Sequence, residues 1–145
     1  LSIIHQCGDG NYDEVFQLYQ NTSFKVSVKP FLNKIIDDYK WADLVISRSG
    51  AGVINEILAV GVSSVLVPLP NSIDDHQRVN ANRIRDNNAA VVIEQGDEFN
   101  SKLVKFITEV QYKELADMAS RAHKMSTKDA SEKISKNILR VVDEK

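Results

Sequence analysis

The sequence predicts a Rossmann-like α/β domain, in which a mostly parallel sheet carries helices on both faces. Short apolar runs typical of strands alternate along the chain with stretches of helical periodicity. A glycine-rich turn, Ser49-Gly50-Ala51-Gly52, joins one such strand directly to a helical pattern. Because alternating strands and helices build crossover units, their strands run parallel within the sheet. The tail beyond Phe99 is expected to be helical throughout.

The composition is that of one ordinary globular domain. The chain has 145 residues, of which 43% are hydrophobic and 26% are charged, and its net charge is -2. This charge provides no broad basic field, so we expect no nucleic-acid partner. The single cysteine, Cys7, excludes an internal disulfide. No apolar run reaches the length of a membrane span, and we expect no signal peptide.

Alternation and periodicity predict the elements of the first half. Strands are expected over 1–5 and 24–28, and helices over 13–20 and 33–40. Asn33 is the expected cap of the second helix, and three of its side chains should face inward: Ile35, Ile36 and Tyr39. The continuous apolar run over 44–46 predicts a strand buried on both faces. A helix should follow, with its apolar side chains at Val53, Ile54, Ile57 and Leu58.

The second half continues the alternation before it becomes helical. Strands are expected over 64–67 and 89–93. A helix over 76–87 should turn Val79 and Ile84 inward. The next helix, capped by Asn100 or Ser101, should bury one face made of Leu103, Val104, Phe106 and Ile107. Two further helices are expected over 112–125 and 130–142.

The glycine turn is the first candidate site. A strand that ends at a small-residue turn and a helix start directs backbone N–H groups and the positive end of the helix dipole to one point, which suits a phosphate. Arg48 would lie at the carboxyl end of the strand, where ligands bind in open α/β sheets. Glu56, further along the helix, could accept hydrogen bonds from a ribose diol. The same turn also occurs in α/β proteins that bind nothing there, so the motif alone leaves both interpretations open.

The order of several motifs is more informative than this turn. The first predicted strand is followed by His5-Gln6-Cys7-Gly8. Next come Phe31-Leu32 and then Tyr39-Lys40-Trp41-Ala42-Asp43-Leu44. The series continues with Arg48-Ser49-Gly50-Ala51, with Glu56 and with Asp75-His76-Gln77-Arg78-Val79-Asn80-Ala81. From about residue 1 to residue 142, this series resembles the carboxyl-terminal, donor-binding domain of the MurG family of bacterial peptidoglycan glycosyltransferases. The densest parts of the resemblance are 31–57 and 75–81.

The resemblance implies a role for each matching residue. Leu32 matches the position whose backbone reads the uracil edge, and Phe31 packs nearby. Residues of the glycine turn match the loop that holds the diphosphate, and Glu56 matches the carboxylate that takes the ribose hydroxyls. The implied UDP-binding set is Phe31, Leu32, Arg48, Ser49, Gly50, Ala51, Gly52, Val53 and Glu56. The implied sugar-binding set is His76, Gln77 and Asn80.

The chain departs from the family pattern in two respects. Val53 stands where family members often carry a hydroxyl residue, so backbone amides would have to hold the phosphate. The family's first strand and Gly-rich loop do not precede Leu1, and neither does the amino-terminal acceptor domain. We therefore expect residues 1–145 to be a single donor-binding domain that is a fragment of a longer protein, with a gap at the centre of its sheet. The catalytic base is unknown and is expected in the missing domain, so the fragment alone should be inactive.

The resemblance implies an inverting, metal-independent glycosyltransferase with two Rossmann-like domains (a GT-B architecture). It would move N-acetylglucosamine from UDP-N-acetylglucosamine to lipid-linked muramyl-pentapeptide, which converts lipid I to lipid II in peptidoglycan synthesis. No cofactor and no metal site are expected. The full-length protein would lie in the cytoplasm, peripherally on the inner membrane, and would meet its lipid-linked acceptor through the missing domain.

Two alternatives stay open at this point. One is a UDP-N-acetylglucosamine-binding subunit of a split, two-chain glycosyltransferase, which should begin with its own Met and first Gly-rich unit. The other is a related UDP-sugar epimerase or hydrolase, which should carry acidic catalytic residues around the donor site. Only Asp74 and Asp75 could serve that purpose.

Overall fold

The structure is a computed structural model that describes residues 1–71 and 75–126. The described chain divides into two compact units, Leu1–Trp41 and a second unit that begins at Ala42. The prediction of one domain over 1–145 stays a prediction, and the helix expected over 130–142 lies outside the described residues.

The first unit is a strand–helix–strand–helix segment. It contains β1 (Ser2–Gln6), α1 (Tyr12–Tyr19), β2 (Lys25–Lys29) and α2 (Ile35–Trp41). The two strands pair in parallel, with Ile3 opposite Val26 and His5 opposite Val28. A parallel pair requires a crossover between its strands, and α1 provides it.

The second unit carries a three-stranded parallel sheet in the order β3-β4-β5. Its strands are β3 (Val45–Ser47), β4 (Ser64–Leu66) and β5 (Val91–Val92). Its helices are α3 (Ala51–Val60), α4 (His76–Asp86), α5 (Phe99–Glu109) and α6 (Tyr112–Met125). Every strand pair in the described residues is parallel. The predicted fold class, a Rossmann-like α/β domain with parallel strands, is confirmed.

The described strands form two separate sheets, one of two strands and one of three.

The core of the second unit lies around its central strand. Val65 and Leu66 of β4 are almost completely buried, as are Ile57 of α3 and Ile84 of α4. Val65, Val67 and Ile93 form a buried cluster, against which Phe99, Leu103 and Phe106 pack. The sequence placed Ile54, Ile57 and Leu58 on the inner face of α3, and all three are buried. This packing fixes the start of α3 relative to the ends of the strands.

The predicted burial of the third strand is wrong. The strand begins one residue later than expected, and the side chain of Ile46 is 46% exposed. Val45 and Ser47 lie on one face of β3 and are half-buried, whereas Ile46 lies on the other face, which the described residues leave largely uncovered. A continuous apolar run therefore does not by itself mean that both faces of a strand are covered.

Three inward-facing side chains were also predicted wrongly. Val79 is 64% exposed, because it lies on the opposite side of α4 from the buried Ala81 and Ile84. Val104 is 60% exposed, because it lies about a quarter turn away from Leu103, which packs on the core. Ile36 is likewise exposed, whereas Tyr39 of the same helix is buried.

Two helix caps differ from their predicted positions. Helix α2 begins at Ile35, so Asn33 lies one residue too early to cap it. Helix α5 begins at Phe99 with Glu98 at its N-cap, and the Ser101 hydroxyl donates to the Glu98 carbonyl. Asn33 precedes the N-cap position of α2, whereas Asn100 and Ser101 lie inside the first turn of α5, so none of these three residues is at the predicted cap position.

Candidate nucleotide-sugar site

The glycine turn lies at the carboxyl end of β3, as predicted. Ser47 ends the strand, Arg48 and Ser49 follow, and α3 begins at Ala51. Gly50 is the N-cap residue, and its carbonyl accepts the first intrahelical hydrogen bond, from the Ile54 N–H at 3.0 Å. The first N–H groups of a helix have no acceptor within the helix and can bind an anion.

The fold does not require glycine at either position of this turn. Gly50 has an extended backbone (φ -64°, ψ 148°), which any residue can adopt. A Cβ built on Gly50 or on Gly52 would meet no atom of the described residues within 4 Å. No other described residue fills the space that two side chains would take beside the helix start.

Ser49 connects this turn to the beginning of α4. Its side chain is fully buried, and its hydroxyl donates to the backbone carbonyl of Gln77 at 2.7 Å. The Asn80 amide nitrogen donates in turn to the Ser49 carbonyl at 3.5 Å. The structure thus brings together three residues that the sequence assigned separately to diphosphate and sugar.

The side chain of Gln77 has a fixed orientation. Its Oε1 atom accepts a hydrogen bond from the Leu69 N–H at 3.0 Å. A carboxamide whose oxygen is engaged in this way presents its Nε2 group on the other side, and Nε2 can only donate. The free side of the Gln77 carboxamide can therefore only donate hydrogen bonds.

The guanidinium group of Arg48 makes hydrogen bonds through both of its terminal nitrogens. Its Nη1 atom donates to the carbonyls of Val67 and Pro68, at 3.4 and 3.2 Å, and its Nη2 atom donates to Oε1 of Gln95 at 2.9 Å. These acceptors lie beyond the ends of β4 and β5. Arg48 thus joins the carboxyl ends of all three strands of the sheet.

The other predicted residues of the second unit lie on α3 and α4. Val53 and Glu56 are half-buried on α3, five and two residues before the buried Leu58. His76 is exposed and begins α4, next to Asp75 at the N-cap. Ala51 is exposed in the first turn of α3, beside the space left by the glycines.

The residues assigned to uracil lie in the first unit. Phe31 is 64% exposed, and the Leu32 N–H donates to Oε1 of Gln6, at the end of β1, at 3.0 Å. The roles of these two residues stay predictions, as do the individual ligand contacts assigned in the second unit.

Gln95 is a site-linked residue that the sequence did not indicate, and Gln6 is one that it indicated only within the motif His5-Gln6-Cys7-Gly8, without a role. Each contacts a predicted site residue over a long sequence separation, Gln6 with Leu32 and Gln95 with Arg48. Both occur at or just beyond the end of a parallel strand. Their position at the carboxyl end of a strand could have indicated a role in the site, because ligand-binding side chains of open α/β sheets collect there.

Within residues 1–71 and 75–126 no group of three or more His, Cys, Asp or Glu side chains could hold a metal ion. The helices of the same part of the chain include none that is long and apolar enough to cross a membrane.

Parallel strands, crossover helices and a glycine turn linked to the next strand–helix connection define a Rossmann-like α/β domain. The chain belongs to a glycosyltransferase family: residues 1–136 match the family model described as the glycosyltransferase family 28 C-terminal domain.

Two bacterial relatives carry the same name, UDP-N-acetylglucosamine--N-acetylmuramyl-(pentapeptide) pyrophosphoryl-undecaprenol N-acetylglucosamine transferase. The protein from Vesicomyosocius okutanii is 36% identical over 139 residues, which is 96% of this chain and 40% of that protein. The protein from Haemophilus influenzae is 37% identical over 138 residues, which is 95% of this chain and 39% of that protein. The chain thus spans about 40% of the length of these curated relatives.

The crystal structure of Acinetobacter baumannii MurG is similar in fold. It superposes with a TM-score of 0.89 at 31% sequence identity, and the match covers 97% of this chain and 43% of that chain. The predicted membership of the MurG-type glycosyltransferases is therefore confirmed.

Proposed function

We propose that this chain is the donor-binding part of an inverting, metal-independent N-acetylglucosaminyltransferase. Its ligand is UDP-N-acetylglucosamine, and the full-length protein transfers the sugar to lipid-linked muramyl-pentapeptide, from lipid I to lipid II. The full-length protein acts at the cytoplasmic face of the bacterial inner membrane, and the part of it outside this chain meets the lipid-linked acceptor.

The observation that carries the proposal is the open helix start at Gly50 and Gly52. Since the fold has no need of glycine there, the two missing side chains are best explained by a ligand that must approach the backbone closely. The N–H groups at this end of α3 and the positive end of its dipole suit a diphosphate. Val53 has no hydroxyl, so the backbone amides carry this interaction.

The sugar part of the ligand would bind next to the diphosphate, in the direction of α4. Ser49 ties the glycine turn to Gln77 through a buried hydrogen bond, so the two parts of the site keep a fixed spacing. The Nε2 group of Gln77 would donate to a sugar hydroxyl or to the acetamido oxygen. Glu56 would accept hydrogen bonds from the ribose hydroxyls, and Phe31 with Leu32 would contact the uracil.

The reaction expected of the whole protein is a single displacement. The acceptor hydroxyl forms a bond to the anomeric carbon while the bond from that carbon to the UDP oxygen breaks. The diphosphate gains negative charge as it leaves, and the amides at the start of α3 stabilise that charge. A base outside this chain takes the proton of the acceptor hydroxyl.

Calorimetric titration of the chain with UDP-N-acetylglucosamine, UDP and ADP tests the proposal. Both uridine ligands should bind, and ADP should bind at least about tenfold more weakly, because a site that reads a base edge rejects the wrong pattern of donors and acceptors. Equal affinity for ADP, or no binding of any of the three by a folded chain, would contradict it.

The orientation of Gln77 allows a second, matched test. Gln77→Glu keeps an oxygen for the Leu69 N–H but replaces the donor group with a second acceptor, whereas Gln77→Ala removes both. If Gln77 donates to the sugar, both variants should lose about 1–2 kcal/mol of affinity for UDP-N-acetylglucosamine relative to UDP. A Gln77→Glu variant that keeps the wild-type preference for the sugar nucleotide would exclude the donor role.

A further inference from the structure

Both terminal nitrogens of the Arg48 guanidinium group donate hydrogen bonds to other residues of the protein. Nη1 bridges the carbonyls of Val67 and Pro68, and Nη2 donates to Gln95. A planar guanidinium matches several acceptors in one plane, which a lysine ammonium group cannot do. This geometry is that of a side chain that holds backbone in place.

The backbone that Arg48 holds is the Pro68 loop, defined here as residues 67–71. The loop continues from β4 and contains Leu69, whose N–H fixes Oε1 of Gln77. A chain of hydrogen bonds therefore runs from Gln95 through Arg48 to the Pro68 loop and on to the Gln77 carboxamide. Every link lies in the second unit.

We propose that Arg48 is a positioning residue that holds the Pro68 loop, and that Gln95 is the residue that holds Arg48. The inference rests on the proposed function, in which the Gln77 carboxamide contacts the sugar. It differs from the role that the family resemblance implies for Arg48, that of a residue of the UDP-binding set, whose positive charge could act directly on the diphosphate. The two roles predict different losses when Arg48 is replaced.

Arg48→Lys separates the two roles, because lysine keeps the positive charge but cannot bridge the three acceptors. If Arg48 positions the loop, Arg48→Lys should reduce the preference for UDP-N-acetylglucosamine over UDP by about tenfold and change the affinity for UDP by less than about threefold. If the charge acts directly on the diphosphate, Arg48→Lys should leave the preference intact.

Gln95 provides a matched pair of variants. Gln95→Ala removes the acceptor of Arg48 Nη2 and should lower the same preference by about three- to tenfold. Gln95→Glu supplies a charged acceptor for the same atom and should restore the preference to within about twofold of wild type. Glu94→Gln is the control, since Glu94 is the neighbour of Gln95 but contacts Arg78 and not Arg48. It should leave the preference unchanged.

The experiment is calorimetric titration of wild type and the four variants with both ligands, with thermal unfolding recorded for each variant. The inference is supported if Arg48→Lys and Gln95→Ala lose the sugar preference while Gln95→Glu and Glu94→Gln keep it. It is overturned if Arg48→Lys keeps the wild-type preference, if Gln95→Glu fails as Gln95→Ala does, or if Glu94→Gln produces the same loss. A wild-type chain that binds neither uridine ligand is a separate result: it contradicts the proposed function and removes the basis of this inference.

Discussion

The two ends of α3 both carry glycine, and the reasons differ. At the carboxyl end, Gly61 has φ +75°, and a Cβ at this position would lie 2.7 Å from the Cβ of His123 on α6. At the amino end, Gly50 and Gly52 have no neighbouring atom of the described residues within 4 Å of such a Cβ. Packing and backbone conformation therefore demand glycine at one end of the helix and not at the other.

This difference separates a structural glycine from glycines that serve a ligand. Gly61 ends α3 in the left-handed conformation, with its N–H bonded to the Ile57 carbonyl, and lets α6 pack closely. Nothing comparable explains Gly50 and Gly52. We attribute glycine at these two positions to the space that it leaves beside the helix N–H groups. Substituting alanine at each end should therefore affect different properties of the molecule.

Gly61→Ala should produce the largest effect, a loss of about 2–4 kcal/mol in the free energy of unfolding. About 1–2 kcal/mol would come from the left-handed backbone and the remainder from the contact with His123. Urea unfolding followed by circular dichroism measures the change. A loss below about 1 kcal/mol would mean that the helix end and α6 adjust easily, and the contrast between the two ends would weaken.

Gly52→Ala should have the opposite pattern. Alanine favours the helix, so the free energy of unfolding should rise by about 0.5 kcal/mol. The new methyl group would occupy the space beside the first helical turn, and the free energy of UDP binding should weaken by about 1–3 kcal/mol. Unfolding and calorimetric titration of the same preparation give both numbers. A variant that is more stable and binds UDP as well as wild type does would remove the argument for a ligand at this turn.

Ser49→Ala should show a smaller effect, on stability and on sugar preference together. It removes the buried hydrogen bond to the Gln77 carbonyl and should lower the free energy of unfolding by about 1–2 kcal/mol. Ser101→Ala is the matched control, because Ser101 also donates to a backbone carbonyl, at 2.9 Å, but at the surface. Its loss should be below about 0.5 kcal/mol. Equal losses of unfolding free energy in the two variants would show that the buried hydrogen bond of Ser49 stabilises the fold no more than the surface hydrogen bond of Ser101 does.

Features of the fold that depend on local sequence were predictable. Helix α6 has the bounds that its periodicity indicated, Tyr112–Met125, because its apolar residues repeat over almost four turns. The turn at Gly50 lies where the sequence placed it, since a strand end, small residues and a helical pattern follow one another directly. Burial was less predictable. The exposure of Ile46 depends on what packs against its face of β3, and this is not a property of the strand's own residues.

The same distinction applies to the candidate site. The sequence indicated Arg48, Ser49 and Gln77, because each belongs to a compact motif. It did not indicate Gln95, which is 47 residues from Arg48 and meets it only when β3 and β5 are aligned in the sheet. It also could not show that Oε1 of Gln77 is engaged by Leu69, which leaves the Nε2 donors for a ligand.

The most direct test of the central claim is to record the backbone amide resonances of the ¹⁵N-labelled chain during titration with UDP. If the start of α3 holds the diphosphate, the largest shift changes in the second unit should fall on the amides of residues 50–53, and titration with uridine, which has no phosphate, should leave these amides nearly unchanged. UDP binding that leaves the amides of residues 50–53 unmoved would contradict the account.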